Sequence, residues 1–442
     1  MSIAGRLNVV NRWSPCYTLD SSNLLPDVRA FVSTLLSQDR ENTVADIYDK
    51  LAGFTVAREA MEMGIYPFFR ALSDSEGTTA TFEDKDVVML GSNNYLGLTT
   101  DSRVQSAAIE ATQRYGTSVT GSRFLNGTLE LHLEADRRLA QFVGKEAALV
   151  FSTGYQTNLG TVSALIGKND VAILDKDVHA SVVDGVSMSR GMMKRFKHND
   201  VADLERVLSR IPDEHGKIVM VDGVYSMGGD FALLPQIIDV CKRYGARILV
   251  DDAHGIGVAG GGRGTAAHFG LTDQVDLIMG TFSKSFASIG GFIAGSADVI
   301  HYIQHHARSL IFSAALPAPN LAAVLAALDI IENEPEHVQQ VWKNAEYMRK
   351  GLIELGYDTF NSQTPIIPVK IGEQFRTGLT WMALIEEGVY TNPVVPPATP
   401  PNQALLRTSY IATHRQRHLD RALAAFERVG KNLDLIPSRE TV

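Results

Sequence analysis

Short apolar runs alternate with amphipathic stretches of helical period between about residues 100 and 330. Such runs, bounded by small or polar residues, are typical of strands buried on both faces, and the stretches between them are typical of connecting helices. The alternation predicts a mainly parallel sheet covered by helices on both faces. The predicted strands are residues 147–151, 171–174, 217–221, 247–250, 277–279 and 291–294.

The pattern changes after residue 330. A helical stretch at 336–355 precedes short extended pieces at 365–371 and 389–390, and a further helix is predicted near 418–429. This mixed order predicts a smaller α+β domain at the C-terminus. The predicted organisation is an N-terminal extension (1–50), a helical segment (51–98), a large sheet domain (99–330) and a small C-terminal domain (331–442).

Two apolar stripes at helical spacing lie near the N-terminus, at residues 27–38 and 56–63. Their polar faces are mixed rather than strongly basic, which favours packing contacts over membrane anchoring. No apolar stretch reaches the ~18 to 20 residues of a transmembrane helix, and no signal-type segment opens the chain. A cytoplasmic location is therefore expected.

Composition narrows the class of protein without selecting a function. The 442 residues are 45% hydrophobic and 21% charged, as in an ordinary globular protein with two or three packed regions. The net charge of −9 argues against a nucleic-acid binder, although it permits a local basic patch for an anionic carrier such as coenzyme A. Cys16 and Cys241 lie far apart without metal-ligand spacing, which favours a reducing compartment.

One lysine follows a predicted strand in a loop of small and hydroxyl residues. Lys284 stands in Gly-Thr-Phe-Ser-Lys-Ser (280–285). An amine that loses water in a confined pocket has a lowered pKa, so it can act as nucleophile and base near neutral pH. An isolated Ser-Lys-Ser is more often a solvated loop, and the interpretation of Lys284 as a Schiff-base lysine depends on motifs upstream.

Polar residues follow three other apolar runs. Asp251 and His254 close the run at 247–250, at the sheet edge where open α/β proteins bind ligands. If the cofactor is pyridoxal phosphate, Asp251 can pair with the pyridine nitrogen, and His254 could reach the phenolic oxygen. Ser-Thr-Gly-Tyr (152–155) begins a predicted helix whose free amides suit a phosphate. His179 could lie flat on a planar ring. Each of these residues alone has a commoner structural explanation, but their combination predicts one site.

The order of these motifs resembles the α-oxoamine synthases, pyridoxal-phosphate enzymes of fold type I, over roughly residues 50–435. Within that group the chain most resembles the bacterial serine palmitoyltransferases, through the motifs at 91–97, 121–128, 222–227 and 396–400. The resemblance implies an α/β fold type I transferase with a large, mainly parallel-sheet domain that binds the cofactor and a smaller C-terminal α+β domain. It also implies a homodimer with shared active sites.

The resemblance also assigns roles to individual residues. Lys284 would hold pyridoxal phosphate and then take the Cα proton, with Asp251 and His179 as the other catalytic residues. Further cofactor contacts are expected from Gly154, Tyr155, Ser226, His254, Thr281 and Ser283, and from Ser313 of the neighbouring subunit.

Substrate residues are carried over in the same way. Arg407 matches the arginine that binds the amino-acid carboxylate, a task that suits a guanidinium fork. Asn94 and Tyr95 match a substrate-side segment. Val395 occupies the place of a second arginine found in some serine palmitoyltransferases, which leaves the role of that arginine open in this chain.

The activity implied is the decarboxylative condensation of an amino acid with a long-chain acyl-CoA, with L-serine and palmitoyl-CoA as the first choice. The products would be a 3-ketosphinganine-type α-amino ketone, coenzyme A and CO2, in the first step of sphingolipid synthesis. The lipid product adds a hypothesis of peripheral contact with the inner membrane face. No metal and no nucleic-acid partner are expected.

Other functions stay open. Glycine or alanine as substrate would make the chain a sister synthase, such as a 2-amino-3-ketobutyrate CoA ligase or an 8-amino-7-oxononanoate synthase. A transaminase would reuse Lys284, and a non-catalytic partner subunit would be expected to lack that lysine.

Residues 255–260 fit the dinucleotide pattern G-x-G-x-x-G, but the glycines that follow make a poor first helical turn. They are predicted to form a flexible loop beside the cofactor.

Overall fold

The computed structural model describes residues 46–437, which divide at Gly64 into two compact units. The described part of the first unit contains helices α1 (Asp49–Ala52) and α2 (Val56–Glu62), which have no buried side chains. The apolar stripe at 56–63 therefore forms a helix. The stripe at 27–38, Cys16 and most of the predicted extension lie outside the described residues.

Through residue 437, the second unit, which begins at Ile65, contains three sheets and the helices that connect their strands. Its strands are β1 (Asp74–Ser75), β2 (Thr79–Phe82), β3 (Lys85–Met89), β4 (Ala147–Phe151), β5 (Asp170–Asp175), β6 (Met192–Phe196), β7 (Gly216–Asp222), β8 (Arg247–Asp251), β9 (Leu277–Thr281), β10 (Gly291–Gly295), β11 (Ile366–Gly372), β12 (Val389–Tyr390), β13 (Asn392–Val394) and β14 (Ala404–Ser409).

The helices of this unit follow the strands along the chain. They are α3 (Ser102–Tyr115), α4 (Glu130–Val143), α5 (Gly154–Leu165), α6 (Ala180–Met188), α7 (Val201–Leu208), α8 (Leu234–Arg243), α9 (Thr265–His268), α10 (Ala297–His306), α11 (Arg308–Ile311), α12 (Ala318–Asn333), α13 (Glu336–Leu355), α14 (Gln374–Glu386) and α15 (Gln416–Asn432), with short 3-10 turns at Leu98–Thr100, Gly260–Gly262 and Thr272–Gln274. Within residues 46–437, none of the helices is long and apolar enough to cross a membrane.

The large sheet has the strand order β4-β10-β9-β8-β7-β5-β6. All of its strands run parallel except β10, which is antiparallel to both β4 and β9. The predicted mainly parallel sheet is confirmed, and all six predicted strands are present with ends that differ by two residues at most. Strand β6 was not predicted, because it lies at the sheet edge and most of its side chains are at least partly exposed.

Both faces of this sheet are buried, because successive side chains of a strand point to opposite sides. In β4, Val150 joins one apolar cluster, whereas Leu149 and Phe151 join another. The first cluster includes side chains of α4, α7, α8 and α12, and the second includes side chains of α5, α6, α10 and α11. Helices thus cover the sheet on both faces, as the alternation predicted.

The two smaller sheets surround a third apolar cluster with α13, α14 and α15. Their strand orders are β1-β2-β3-β12 and β11-β14-β13, and β12 pairs in parallel with β3. The early strands β2 and β3 therefore pack with C-terminal elements. Helix α13 has its predicted bounds, and β11 differs from its predicted range by one residue at each end. The domain boundaries stay a prediction.

The candidate site residues lie at the carboxyl ends of the central strands, along one edge of the large sheet. Asp222 at the end of β7 is the register partner of Asp251 at the end of β8, and Asp251 is the partner of Met279 in β9. Thr281, at the end of β9, leads into the loop that carries Lys284. No helix begins at Gly255, and the glycine-rich loop instead closes through a bridge between Ile256 and Arg263. The dinucleotide pattern therefore lacks the helix it needs.

Candidate active site

Lys284 lies in the loop that joins β9 to β10 and is half-buried. The loop is held by hydrogen bonds from Phe282 N to the Gly290 carbonyl (2.9 Å) and from Ser288 N to the Phe282 carbonyl (3.0 Å). Burial lowers the pKa of Lys284 to about 8, assisted by the charge of Arg407 and opposed by nearby carboxylates. The amine is therefore neutral often enough near neutral pH to act as a nucleophile or base.

Asp251 is buried at the end of β8 and is held by two donors. The amide of Asn158 lies 2.6 Å from Oδ2, and the backbone N–H of Ala253 donates to Oδ1 at 3.1 Å. These bonds fix the carboxylate in one orientation at the sheet edge. A carboxylate so placed can pair with a protonated ring nitrogen.

The neighbouring carboxyl of Asp222 differs in its electrostatics. Burial, together with the negative charge of Asp251, raises the pKa of Asp222 well above the usual value for an aspartate. Its Oδ1 accepts the backbone N–H of His179 at 3.2 Å. Asp222 therefore holds the start of α6 in position and keeps a proton at pH values where an exposed carboxyl would have lost it.

His179 caps the N-terminus of α6 and is connected to Asp251 through two other side chains. Its Nδ1 lies 2.7 Å from Oγ of Ser181, and that hydroxyl accepts a 2.9 Å hydrogen bond from Asn158. Since Asn158 also bonds Asp251, its amide holds both predicted catalytic residues. The ring of His179 meets the ring of Tyr155 edge-on, with centroids 6.4 Å apart.

The predicted phosphate motif forms the first turn of α5. Gly154 opens the helix, and Thr153 caps it by accepting the N–H of Gln156 at 3.0 Å. A Cβ on Gly154 would lie 2.6 Å from Oγ1 of Thr281, so only glycine fits at this close approach. Oγ1 of Thr281 in turn lies 3.0 Å from Oγ of Ser283. Two predicted hydroxyls thus stand beside a helix N-terminus, which suits an anion.

Tyr155 and Ser313 lie beside this turn. Tyr155 is partly exposed, and its hydroxyl donates to Asp184 on α6. The hydroxyl of Ser313 accepts a 3.1 Å hydrogen bond from the amide of Gln156 in its own chain. Ser313 is thus near the α5 turn of the same subunit, and its predicted action across a subunit boundary stays a prediction.

Arg407 lies on β14 and is buried. Its Nε donates to the carbonyl of Ser226 at 2.6 Å, and its Nη2 is 3.4 Å from the hydroxyl of Tyr95. That hydroxyl lies 2.7 Å from Nδ1 of His254. Burial lowers the pKa of His254 well below its usual value, and the charges of Lys284 and Arg407 lower it further. The ring is therefore neutral beside the arginine.

Not every predicted residue joins this cluster through its side chain. Ser226 contributes its carbonyl oxygen, and the side-chain amide of Asn94 donates to Thr99 at 2.7 Å. Sequence reasoning missed Asn158 and Asp222 as site residues. Asn158 lies one helical turn after Gly154 and hence on the same face of α5, and Asp222 ends a buried strand as Asp251 does. Both signals were present in the sequence.

Comparison with known proteins gives the family. The profile of the aminotransferase class I and II family matches residues 85–426. A serine palmitoyltransferase from Sphingobacterium spiritivorum is 46% identical over 388 residues, which cover 88% of this chain and 97% of that protein. Another from Bacteriovorax stolpii is 48% identical over 373 residues, covering 84% and 89%. An 8-amino-7-oxononanoate synthase from Thermoanaerobacter pseudethanolicus is 40% identical over 380 residues, covering 86% and 96%.

A solved structure agrees with these relatives. A serine palmitoyltransferase from S. paucimobilis with a bound PLP–myriocin aldimine superposes with a TM-score of 0.86 at 36% sequence identity. The match covers 89% of this chain and 100% of that one. The predicted fold type is therefore confirmed.

Proposed function

The chain belongs to the aminotransferase class I and II family, and we propose that it condenses L-serine with a long-chain acyl-CoA such as palmitoyl-CoA. The reaction releases CO2 and coenzyme A and leaves a 3-ketosphinganine-type amino ketone, as the first step of sphingolipid synthesis. The observation that carries this function is the 46% identity to a serine palmitoyltransferase along nearly its whole length. The site supports it, because a lysine of lowered pKa and a buried arginine occupy the same cluster.

Pyridoxal phosphate is the cofactor, and the residues present fit it. Within residues 46–437, Oδ1 of Asn158 and Oγ of Ser285 are buried without a hydrogen-bond partner, and Gly154 leaves room that any Cβ would fill. Lys284 would hold the aldehyde carbon, Asp251 the ring nitrogen, and the first turn of α5 the phosphate. When bound, the cofactor draws electrons from the Cα of the amino acid and so acidifies its proton.

The chain's own residues then divide the work. Arg407 binds the carboxylate of the amino acid, with its guanidinium oriented by Ser226 and Tyr95. Lys284, once free, accepts the Cα proton, because an amine with a pKa of about 8 is partly neutral at working pH. His254 shares a hydrogen bond with Tyr95. Because the lowered pKa keeps its ring neutral, His254 adds no second positive charge near Arg407.

We also propose a homodimer with shared active sites, in which Ser313 completes the partner's phosphate site. Large apolar side chains support this arrangement, because Leu125 is 78% exposed and Phe312, next to Ser313, is 72% exposed. Peripheral contact of a cytoplasmic enzyme with the inner membrane face is proposed from the lipid product alone. Sedimentation and liposome flotation test the two proposals separately.

The deciding experiment is a visible absorbance titration of the purified holoenzyme with L-serine, glycine and L-alanine, followed by a coenzyme A release assay with palmitoyl-CoA. A saturable spectral change that occurs at the lowest concentration with serine, together with coenzyme A release, supports the proposal. A response led by glycine or alanine moves the function to a sister synthase. Amino transfer without coenzyme A release indicates a transaminase, and a protein that takes up no cofactor indicates a partner subunit.

A further inference from the structure

A histidine outside the predicted site lies between two carboxylates. Nδ1 of His198 is 3.1 Å from Oδ1 of Asp175, at the end of β5, and its Nε2 is 3.0 Å from Oδ2 of Asp230. Its ring meets the Tyr225 ring edge-on with centroids 4.3 Å apart. Burial lowers the pKa of His198, but the two carboxylates outweigh burial and raise it to about 10. Both ring nitrogens therefore carry protons and donate over the neutral range.

The next residue, Asn199, also binds both Asp175 and Asp230. Its side-chain amide donates to Oδ2 of Asp230 at 2.8 Å and to the carbonyl of Phe231 at 2.9 Å, and its backbone N–H donates to Asp175 at 2.9 Å. Asn199 has a φ of 50°, a conformation that asparagine tolerates better than most residues. Asp230 is thus held by two consecutive residues that follow β6.

Asp230 belongs to a tight hairpin that follows β7, which we call the 223–231 hairpin. Tyr225 N donates to the carbonyl of Asp230 at 3.0 Å, and Gly229 N donates to the carbonyl of Tyr225 at 2.9 Å. Gly229 has a φ of 68°, and a Cβ there would lie 2.1 Å from the carbonyl oxygen of Ile366. The hairpin therefore has little freedom once Asp230 is fixed.

Ser226 lies in this hairpin, and its carbonyl accepts the 2.6 Å hydrogen bond from Nε of Arg407. The other contact of the guanidinium, from Nη2 to Tyr95, is longer at 3.4 Å. The orientation of Arg407 thus depends mainly on where the hairpin places one carbonyl oxygen. An error in that position turns the guanidinium fork away from a bound carboxylate.

We propose that His198 is a positioning residue for the amino-acid substrate: by holding Asp230 it fixes the 223–231 hairpin, so that the Ser226 carbonyl orients Arg407. The inference rests on the proposed function, because it takes Arg407 as the carboxylate-binding residue. His198 itself touches neither substrate nor cofactor in this scheme. It therefore acts on amino-acid binding and leaves acyl-CoA binding alone.

Two substitutions distinguish the contacts made by the two ring nitrogens of His198. In His198→Gln the amide reaches the place of Nε2 and keeps a donor for Asp230, whereas in His198→Asn it reaches the place of Nδ1 and faces Asp175. The matched control is His337→Gln, which removes a half-buried histidine paired with Glu334 at 3.3 Å outside the site. Each holoenzyme is assayed for bound cofactor, for the Kd of L-serine by absorbance, and for both KM values.

We expect His198→Asn to raise the serine Kd and KM about tenfold, the loss of one hydrogen bond to a charged group, with the KM of palmitoyl-CoA unchanged. His198→Gln should stay close to wild type, as should His337→Gln. Equal effects of Gln and Asn at position 198, an unchanged serine Kd in His198→Asn, or a parallel rise of both KM values would overturn the proposal.

If His198→Asn does not fold, Asp230→Asn tests the contact between His198 and Asp230 by changing the carboxylate instead. It should raise the serine Kd selectively, and an unchanged serine Kd in that variant overturns the proposal. If the proposed function itself is wrong, the wild-type holoenzyme gives no saturable absorbance response to serine. That result is independent of the residue at position 198.

Discussion

The side-chain amide of Asn158 donates to Asp251 at 2.6 Å and to Ser181 at 2.9 Å. Ser181 in turn lies 2.7 Å from Nδ1 of His179. One amide on α5 thereby sets the positions of the residue proposed for the ring nitrogen and of the residue proposed to stack on the ring. Loss of this amide should loosen the cofactor rather than the substrate.

Asn158→Ala is therefore expected to raise the Kd of pyridoxal phosphate about tenfold, because a buried bond to a charged carboxylate is lost. Asn158→Asp should be worse, since it places a second carboxylate against Asp251. Fluorescence titration of the apoenzyme with cofactor measures the effect. Thr161→Val, on the same helix with a buried hydroxyl that has no partner in the described structure, is the control. Equal Kd values for Asn158→Ala and wild type would remove the assigned role.

The lowered pKa of Lys284 predicts how cofactor capture depends on pH. The neutral amine is the nucleophile, and with a pKa of about 8 its neutral fraction rises with pH and levels off above that value. Stopped-flow absorbance of apoenzyme mixed with pyridoxal phosphate gives the rate. Nα-acetyl-lysine is the reference, since its rate should go on rising to about pH 10.4. A protein rate that climbs past pH 10 contradicts the assignment, and Lys284→Ala should capture no cofactor covalently.

Arg407→Lys tests carboxylate binding. A lysine keeps the charge but lacks the planar fork and the Nε that bonds Ser226, so the serine KM should rise at least about tenfold while the absorbance of bound cofactor stays. Arg138→Lys, at a half-buried arginine paired with Asp329 and Glu332 outside the site, should change neither. A serine KM within about twofold of wild type in Arg407→Lys would argue for another carboxylate site.

The raised pKa of His198 predicts a dependence of stability on pH. Its folded value is about 10 against an ordinary value of 6.5, so its ion pairs stabilise the fold fully below pH 6.5 and lose that effect as pH rises toward 10. The difference in free energy of unfolding between wild type and His198→Asn should accordingly shrink from pH 6 to pH 10. Urea unfolding at pH 6, 8 and 10 measures it. A difference that grows with pH would mean that His198 is buried neutral.

The sequence was informative where structure follows from local pattern. Apolar runs such as 247–250 predicted the central strands because both their faces are buried, and Asp251, just after that run, lies beside Asp222 at the carboxyl edge of the sheet. Strand β6 could not be found in this way. Its Met-Met-Lys-Arg-Phe pairs with β5 on one side only, so its side chains have neither a fully apolar nor an alternating pattern.

The residues that connect the site were harder to predict than those expected to touch the cofactor. His198 and Asp230 are far apart in the chain and meet only because β5, β6 and β7 adjoin in the sheet. Ser226 was predicted, yet its contribution is a backbone oxygen, which side-chain chemistry does not reveal. Asn94 was predicted from its place in a motif, but the hydrogen bond that its amide makes in the structure is to Thr99.

The antiparallel strand β10 has a consequence for how far Lys284 can move. Because β10 runs antiparallel beside β9, the lysine stands in a nine-residue loop (282–290) tied at both ends to buried strands, with Thr281 opposite Gly291. A parallel neighbour would have required a long crossover, and with it a looser tether. Hydrogen bonds at Phe282 and Ser288 tie the loop backbone, so the amine reaches between cofactor and substrate mainly through its own four methylene groups.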